Sequence, residues 1–261
     1  MSALRSRTDR EIVFAAGFTL DGRDDAALRQ DAVALAADAA VAVLFLGLPD
    51  QAESEGFDRD DIRLPDAQLE LVEEVLAVNR DVVVVLSNGG VVTLEGIAGE
   101  VPAIVETWLA GQASGSAADV LLGIAEPGGR LAETIPLRLA QTPSHVNWPG
   151  SHGVVRYGGG IYIGYRWYDT TELDVAYPFG HGLSYTTFSL SDPEVTVPDP
   201  ARPFAECSVT IENTGERVGS EVVQVYVRDR ISSVGRPPRE LKGFVKVRLA
   251  PGERRVVRLE L

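Results

Sequence analysis

The chain has 261 residues, of which 45% are apolar and 24% charged, a balance typical of a folded globular protein and unlike that of a disordered chain. Its 24 basic residues against 38 acidic ones leave a net charge of −14, which disfavours nucleic acid as a partner. A single cysteine, Cys207, excludes an internal disulfide and a cysteine-cluster metal site. The three histidines lie in Gly/Pro-rich stretches without metal-ligand spacing, so we expect neither a metal nor a cofactor.

The N-terminus and the apolar runs favour a cytoplasmic location. The opening residues, MSALRSRTDREIVF, contain no apolar core of signal-peptide length. The longest apolar runs, VAVLFLGL and VVVVL, are too short to cross a bilayer. We therefore expect a cytoplasmic protein without a membrane partner, provided that Met1 is the true start.

The first half of the chain alternates helix-like and strand-like segments. The Ala-rich segment DDAALRQDAVALAADAA predicts a helix, and Val41 to Gly47 predicts a strand buried on both faces. Asp66 is a candidate cap for the helix QLELVEEVLAVN, and Val82 to Leu86 predicts a second buried strand. A third, shorter strand lies in VPAIVETWLAG, and Ser114 to Ile124 predicts a further helix. This order predicts an α/β fold with a mostly parallel sheet flanked by helices.

The second half has a different character. An aromatic, Gly/Pro-rich stretch is typical of a functional loop or of a strap between domains. A proline-rich linker follows it, and then come segments with period-two alternation, about five strands in all, where an immunoglobulin-like sandwich has about seven. The predicted divisions are an N-terminal segment, an α/β domain, the strap, the linker and an incomplete β-sandwich of the fibronectin type III kind, over 1–20, 21–139, 140–190, 191–203 and 204–261.

Candidate functional residues follow the first predicted strand. In open α/β sheets, ligands bind beyond the carboxyl ends of the strands. The loop at that end carries Asp50, Glu53, Glu55, Asp58 and Arg59. Carboxylates in a cleft serve acid/base chemistry when burial raises their pKa. From chemistry alone, however, a solvated acidic loop braced by an Asp–Arg pair is the favoured interpretation.

Other chemistries have weaker support in the sequence. The glycine-rich dinucleotide motif, the phosphate-binding loop and the GxSxG nucleophile elbow are all absent. Aromatic side chains in the strap could stack on sugar faces, although packing within the protein is the favoured role. They are Tyr157, Tyr162, Tyr165, Trp167 and Tyr168.

Several blocks in this sequence resemble the C-terminal half of glycoside hydrolase family 3 β-glucosidases. They include ESEGFDRDDIRLPDAQ, VVVVLSNGG, AIVETWLAGQASGSAADVLLG, PGGRLAETIP, AYPFGHGLSYTTF, ENTGERVGSEVVQVYV and RELKGFVKVRLAPGE. The blocks occur in the family's order and cover nearly the whole chain. The resemblance implies an α/β sandwich domain followed by a fibronectin type III-like domain. In complete enzymes these follow a (β/α)₈ barrel that carries an aspartate nucleophile.

The resemblance also implies roles for the loop residues. A retaining glycosidase uses a nucleophile and an acid/base carboxyl about 5 Å apart. Glu55 is the first candidate for the acid/base and Glu53 the alternative, while Asp58 and Arg59 would hold the loop. Nothing in the chain matches the barrel's nucleophile motif, and only twenty residues precede Asp21. We therefore expect the chain to be inactive alone.

Two functions remain open at this point. The first is the C-terminal portion of a β-glucosidase, separated from its barrel by gene truncation, a misplaced start or a split reading frame. The second is a stand-alone, non-catalytic module that binds carbohydrate or a separate barrel chain. The expected partners are a β-glucoside or related oligosaccharide and a (β/α)₈ barrel, in the same chain or in another.

The resemblance further implies a weak C-terminal part, because the family's sandwich continues with a final hairpin beyond RRVVRLEL. We expect alternating residues of VVQVYV and FVKVRL to lack a covering layer, and the strap near Tyr162 to Tyr168 to be exposed. Such surfaces favour self-association. Limited proteolysis is expected to cut first near Pro198 to Pro203.

Overall fold

The structure is a computed structural model that describes residues 1–56, 58–198, 201 and 204–261. These residues form two compact units. The first consists of residues 1–122 and 135–142, and the second of residues 123–134 and 143–261. The boundary within the chain is therefore not a single point, since residues 123–134 belong to the second unit.

The first unit is built on three parallel strands in the order β1-β2-β3. They are β1 (Ala42–Gly47), β2 (Val82–Ser87) and β3 (Ala103–Glu106). Ala42 lies opposite Val82, and Val83 lies opposite Ala103. The predicted parallel sheet flanked by helices is confirmed. The helices of this unit are α1 (Ser2–Arg5), α2 (Ala26–Asp38), α3 (Asp66–Val78) and α4 (Ala117–Leu121), with 3₁₀ turns at Gly111–Ser116 and Leu139–Gln141 and a short strand β4 (Ile135–Pro136).

The core of this unit lies on the central strand and on one face of α3. Val84 and Leu86 on β2 are fully buried, as are Val72 and Val75 on α3. Helix α3 forms the crossover that a parallel β1–β2 pair requires. Gly47, at the end of β1, allows close approach to β2, because a Cβ there would lie against the carbonyl oxygen of Ser87.

Three local predictions in this unit are wrong. Strand β1 is not buried on both faces, because it lies at the edge of the described sheet and Phe45 is 47% exposed. Asp66 does not cap α3: it is the first helical residue, and Pro65 occupies the cap position. The helix predicted over 114–124 is a 3₁₀ turn followed by the single-turn α4, in keeping with its glycine content.

Among the described residues, the sandwich of the second unit has five antiparallel strands in two sheets, one of order β10-β7-β6 and one of order β8-β9. They enclose a small core formed by Ile211, Val223, Val247, Leu249 and Val257. The predicted sandwich is confirmed. Its strands are β6 (Phe188–Thr196), β7 (Glu206–Asn213), β8 (Gly219–Val227), β9 (Glu240–Leu249) and β10 (Arg254–Glu260), preceded by α5 (Tyr165–Thr171) and a short strand β5 (Val175–Tyr177).

Two expectations about this unit need correction. The predicted linker 191–203 is wrong for its first six residues, which belong to edge strand β6. Pro193 is tolerated there because the β6–β7 register shifts between Ser191 and Glu194, and proline is confined to edges and bulges. Of the remaining linker, and of the predicted cleavage region Pro198 to Pro203, residues 199, 200, 202 and 203 lie outside the described residues.

The expected uncovered face of the sandwich is also different from the prediction. Val223 and Val247 are each only 4% exposed, because the β10-β7-β6 sheet covers them. Phe244, on the opposite face of β9, is 66% exposed, and Val227 on β8 is 43% exposed. The outer face of β9, which carries Phe244, is therefore one exposed apolar surface that could favour self-association.

The strap aromatics are packed more closely than expected. The Tyr165 ring stacks on Phe179 with centroids 5.0 Å apart and meets Tyr226 edge-on at 5.8 Å. Its hydroxyl oxygen accepts a 2.7 Å hydrogen bond from the Leu241 amide. Tyr168 is buried, which raises the pKa of its hydroxyl to about 12. Packing is thus confirmed for these two residues, whereas Tyr157 is 94% exposed.

Candidate functional site

The candidate site lies in the first unit, at the carboxyl ends of the three parallel strands. The loop that carries the predicted acidic residues follows β1, the turn Asn88-Gly89-Gly90 follows β2, and Thr107 and Trp108 follow β3. Because the strands are parallel, these three segments share one edge of the sheet. This is the edge at which open α/β sheets bind ligands.

Glu53 contacts the turn after β2 through both carboxylate oxygens. The Gly89 amide donates to Oε2 at 2.6 Å, and the Gly90 amide donates to Oε1 at 2.7 Å. The side chain of Glu53 is half-buried. A carboxylate that accepts charge-assisted hydrogen bonds from two backbone amides is held in one orientation.

Arg59 reaches the same turn from the other end of the loop motif. Its Nη1 donates to the Val91 carbonyl oxygen at 3.3 Å. Its Nη2 is buried and has no hydrogen-bond partner among the described residues. Asn88 is fully buried and its Nδ2 donates to the Gly90 carbonyl oxygen at 2.9 Å, while its Oδ1 has no partner in the described part of the chain.

A half-buried carboxyl group at the end of β3 completes the site. Oε1 of Glu106 accepts a 2.8 Å hydrogen bond from the Trp108 amide, and Oε2 accepts a longer one of 3.4 Å from Asn88 Nδ2. Burial raises the pKa of Glu106, and the charge of Glu53 adds a smaller effect in the same direction. The next residue but one, Trp108, has a φ of 50°, which is uncommon for a residue other than glycine. The sequence reasoning missed Glu106, although a glutamate that ends an apolar strand was a usable signal.

The other predicted residues lie on the outside of the loop. Glu55 and Asp58 are both exposed, and neither makes a hydrogen bond or ion pair to another described residue. Phe57, between them, lies outside the described residues. The structure therefore brings Glu53 and Arg59 together at residues 89–91 and leaves Glu55 at the surface. The role of each remains a prediction.

No group of three or more His, Cys, Asp or Glu side chains in the described ranges has an arrangement that could hold a metal ion. Over that same part of the chain, no helix has the length and apolar character needed to cross a membrane.

The fold and the site define an α/β domain with a polar cluster at the carboxyl ends of its strands, followed by an antiparallel β-sandwich. The glycosyl hydrolase family 3 C-terminal domain matches residues 2–185, and a fibronectin type III-like domain matches residues 221–261. Because the first match covers more than half of the chain, the chain belongs to glycoside hydrolase family 3.

Relatives place the chain within longer proteins. It is 48% identical over 250 residues to an exo-α-(1→6)-L-arabinopyranosidase of Bifidobacterium breve. The matched residues are 95% of this chain and 33% of that relative. It is 46% identical over 254 residues to a thermostable β-glucosidase B of Acetivibrio thermocellus, covering 96% and 33%. The crystal structure of a family 3 β-glucosidase from Bifidobacterium adolescentis superimposes with a TM-score of 0.95 at 46% identity, covering 99% of this chain and 38% of that one. The chain thus spans about a third of the curated relatives it matches and corresponds to their C-terminal part.

Proposed function

We propose that these residues are the C-terminal portion of a retaining, β-glucosidase-like enzyme, in which Glu55 is the acid/base and a (β/α)₈ barrel supplies the nucleophile. The observation that carries this proposal is the contrast between the two candidate carboxyls. Glu53 is held by two backbone amides, whereas Glu55 is exposed on the same loop. A group that must give a proton to a glycosidic oxygen and later take one from water has to reach the substrate.

The barrel and this chain would each contribute one carboxyl group to the reaction. The barrel's carboxylate attacks the anomeric carbon while Glu55 protonates the departing oxygen, and Glu55 subsequently removes a proton from the water that hydrolyses the glycosyl-enzyme. Electrostatic and acid/base catalysis are most effective where water is excluded. Because Glu55 is exposed in this unit, the barrel has to supply the enclosing surface. Without it, we expect the 261-residue chain to be inactive.

The proposed substrate is a β-glucoside or a related oligosaccharide. The names of the relatives include both β-glucosidases and an exo-α-(1→6)-L-arabinopyranosidase, so aryl β-glucosides and aryl α-L-arabinopyranosides are the substrates to compare. Neither nucleic acid nor a membrane is indicated as a partner. A second candidate function is a separate module that binds a barrel in trans. The observation in its favour is the covered core of the second unit.

The test is hydrolysis of aryl glycosides by the chain alone and by the chain joined to the barrel of a related family 3 enzyme. The joined protein should turn over, and Glu55→Gln should slow substrates with poor leaving groups far more than activated ones. Azide should partly rescue that variant, because it attacks the glycosyl-enzyme without a general base. Glu73→Gln, at an exposed position on α3, is the matched control.

Two results would contradict the proposal. One is turnover by the chain alone at an ordinary glycosidase rate, about 1 to 1,000 per second, that disappears in Glu55→Gln. The other is a joined enzyme in which Glu55→Gln behaves like Glu73→Gln on every leaving group. Activity from a mixture of the two separate polypeptides would favour the module that acts in trans.

A further inference from the structure

The loop that carries Glu55 is attached to the turn after β2 at two points. Glu53 accepts hydrogen bonds from Gly89 and Gly90, 36 and 37 residues further along the chain. Arg59 donates to the Val91 carbonyl oxygen. The attachments end on consecutive residues of one turn, so Glu53 and Arg59 are both held at the carboxyl ends of the strands.

The turn provides the space for this attachment. A Cβ added at Gly89 would lie 3.0 Å from Oε1 of Glu53 and 3.0 Å from Cδ1 of Leu109. A Cβ added at Gly90 would lie 3.2 Å from Nη1 of Arg59. The two glycines therefore permit the carboxylate and the guanidinium to approach the backbone, which a larger residue at Gly89 would obstruct.

The same contacts argue against an acid/base role for Glu53. Each of its oxygens already accepts a hydrogen bond from a backbone amide at 2.6 or 2.7 Å. Backbone N–H groups can only donate, and they occupy both carboxylate oxygens. A general acid has to direct one carboxyl oxygen at the glycosidic oxygen, so these two contacts hold Glu53 in an orientation that does not serve that role.

From these observations we infer that Glu53 is a positioning residue, which fixes the loop on residues 89–90 so that Glu55 is presented at the carboxyl edge of the sheet. The inference rests on the proposed acid/base role of Glu55. Its structural part, the attachment of the loop by the Glu53 carboxylate, is measurable without any activity.

The first experiment uses the full 261-residue chain and needs no substrate. Amide hydrogen exchange at Gly89 and Gly90 and the rate of cleavage after Glu55 by a glutamate-specific protease are measured together. Glu53→Ala should speed that cleavage about tenfold or more and lower the protection of both amides, because the loop opens more often. Glu53→Gln keeps one acceptor oxygen, so its effect should be smaller. The control Glu73→Gln should match wild type.

A second variant reaches the same contact from the turn. Gly89→Ala introduces the crowding against Glu53 and should reproduce the faster cleavage after Glu55. Gly129→Ala is its control, because a Cβ there meets nothing within 4 Å. Wild-type protection and cleavage in both Glu53→Ala and Gly89→Ala would overturn the inference, whatever the activity of the joined enzyme.

The second experiment uses the chain joined to a family 3 barrel. Misplacing a catalytic group by about 1 Å costs on the order of 100-fold in rate. Glu53→Gln should therefore lower kcat on poor leaving groups by about 10- to 100-fold with a smaller change in KM, and azide should not rescue it, because Glu55 remains present.

The outcomes separate the two proposals. Azide rescue of Glu53→Ala together with none for Glu55→Ala would make Glu53 the acid/base and would overturn the positioning role. If neither glutamate affects the joined enzyme while Glu53→Ala still frees the loop, the acid/base proposal fails and the attachment stands. Faster cleavage together with a kcat loss that azide does not rescue supports the whole inference.

Discussion

Removing the amide of Asn213 should strongly destabilise the second unit. Asn213 is fully buried at the end of β7. Its Oδ1 accepts hydrogen bonds from Thr186 Oγ1 at 2.6 Å and from the Gly215 amide at 3.1 Å. Its Nδ2 donates to the carbonyl oxygens of Arg217 at 2.7 Å and Leu249 at 3.0 Å. The side chain thus uses all four of its hydrogen-bonding positions, on four separate residues.

The expected magnitude follows from these four bonds. A buried hydrogen bond contributes about 1 kcal/mol, and a partner left unsatisfied costs at least as much, so Asn213→Ala should lower the free energy of unfolding by about 4 kcal/mol. That corresponds to roughly a thousandfold increase in the equilibrium constant for opening of the second unit. Asn213→Asp keeps the shape and the two acceptors but points a carboxylate at two carbonyl oxygens. At neutral pH it should be at least as damaging as Asn213→Ala.

The measurement is hydrogen exchange with mass spectrometry on the full chain, read from peptides of β7 and β9. A segment-resolved method is needed because a chain of two units need not unfold in one step. The control is Asn88→Ala, read from peptides of β2 in the first unit, since Asn88 is equally buried but among the described residues makes only one hydrogen bond shorter than 3 Å, to Gly90. A loss below about 1 kcal/mol in Asn213→Ala, or one no larger than in the control, would refute the reasoning.

Three further predictions concern charge and surface. Burial raises the pKa of Glu106 above its ordinary 4.5, so the folded state holds the proton more tightly than the unfolded state does. The free energy of unfolding should therefore fall as pH rises from 4.5 through the raised value. Glu106→Gln should remove that fall, measured by urea unfolding between about pH 4 and 8. The side chain of Arg130 is 8% exposed and pairs with Glu221 at 2.9 Å. Arg130→Ala should lower the free energy of unfolding by about 3 kcal/mol. Arg254→Ala, at a side chain that is 60% exposed, should change it by about zero in the same unfolding assay. Phe244→Lys should reduce self-association in sedimentation without lowering stability, and unchanged association would show that another surface mediates it.

Much of the fold could be predicted from local patterns. The run VVVVL indicates a strand buried on both faces, and β2 is that strand, because it is the central one of the three. The same reasoning failed for β1, whose apolar run is similar but whose edge position leaves Phe45 exposed. The composition of a segment shows that it is apolar, but the number of strands beside it depends on its place in the sheet.

The sequence by itself determined the family, the parallel order of strands and helices, and the loop on which the acid/base candidates lie, because each is written in contiguous residues. It left Glu53 and Glu55 as alternatives, since both have the same chemistry two positions apart. Only the tertiary structure shows that their surroundings differ, because it brings the Gly89 and Gly90 amides to Glu53 from the end of another strand. It also decided that Pro193 lies in a strand, through a register shift against β7. Both outcomes depend on contacts between residues distant in the chain, which leave no periodic signal in the sequence.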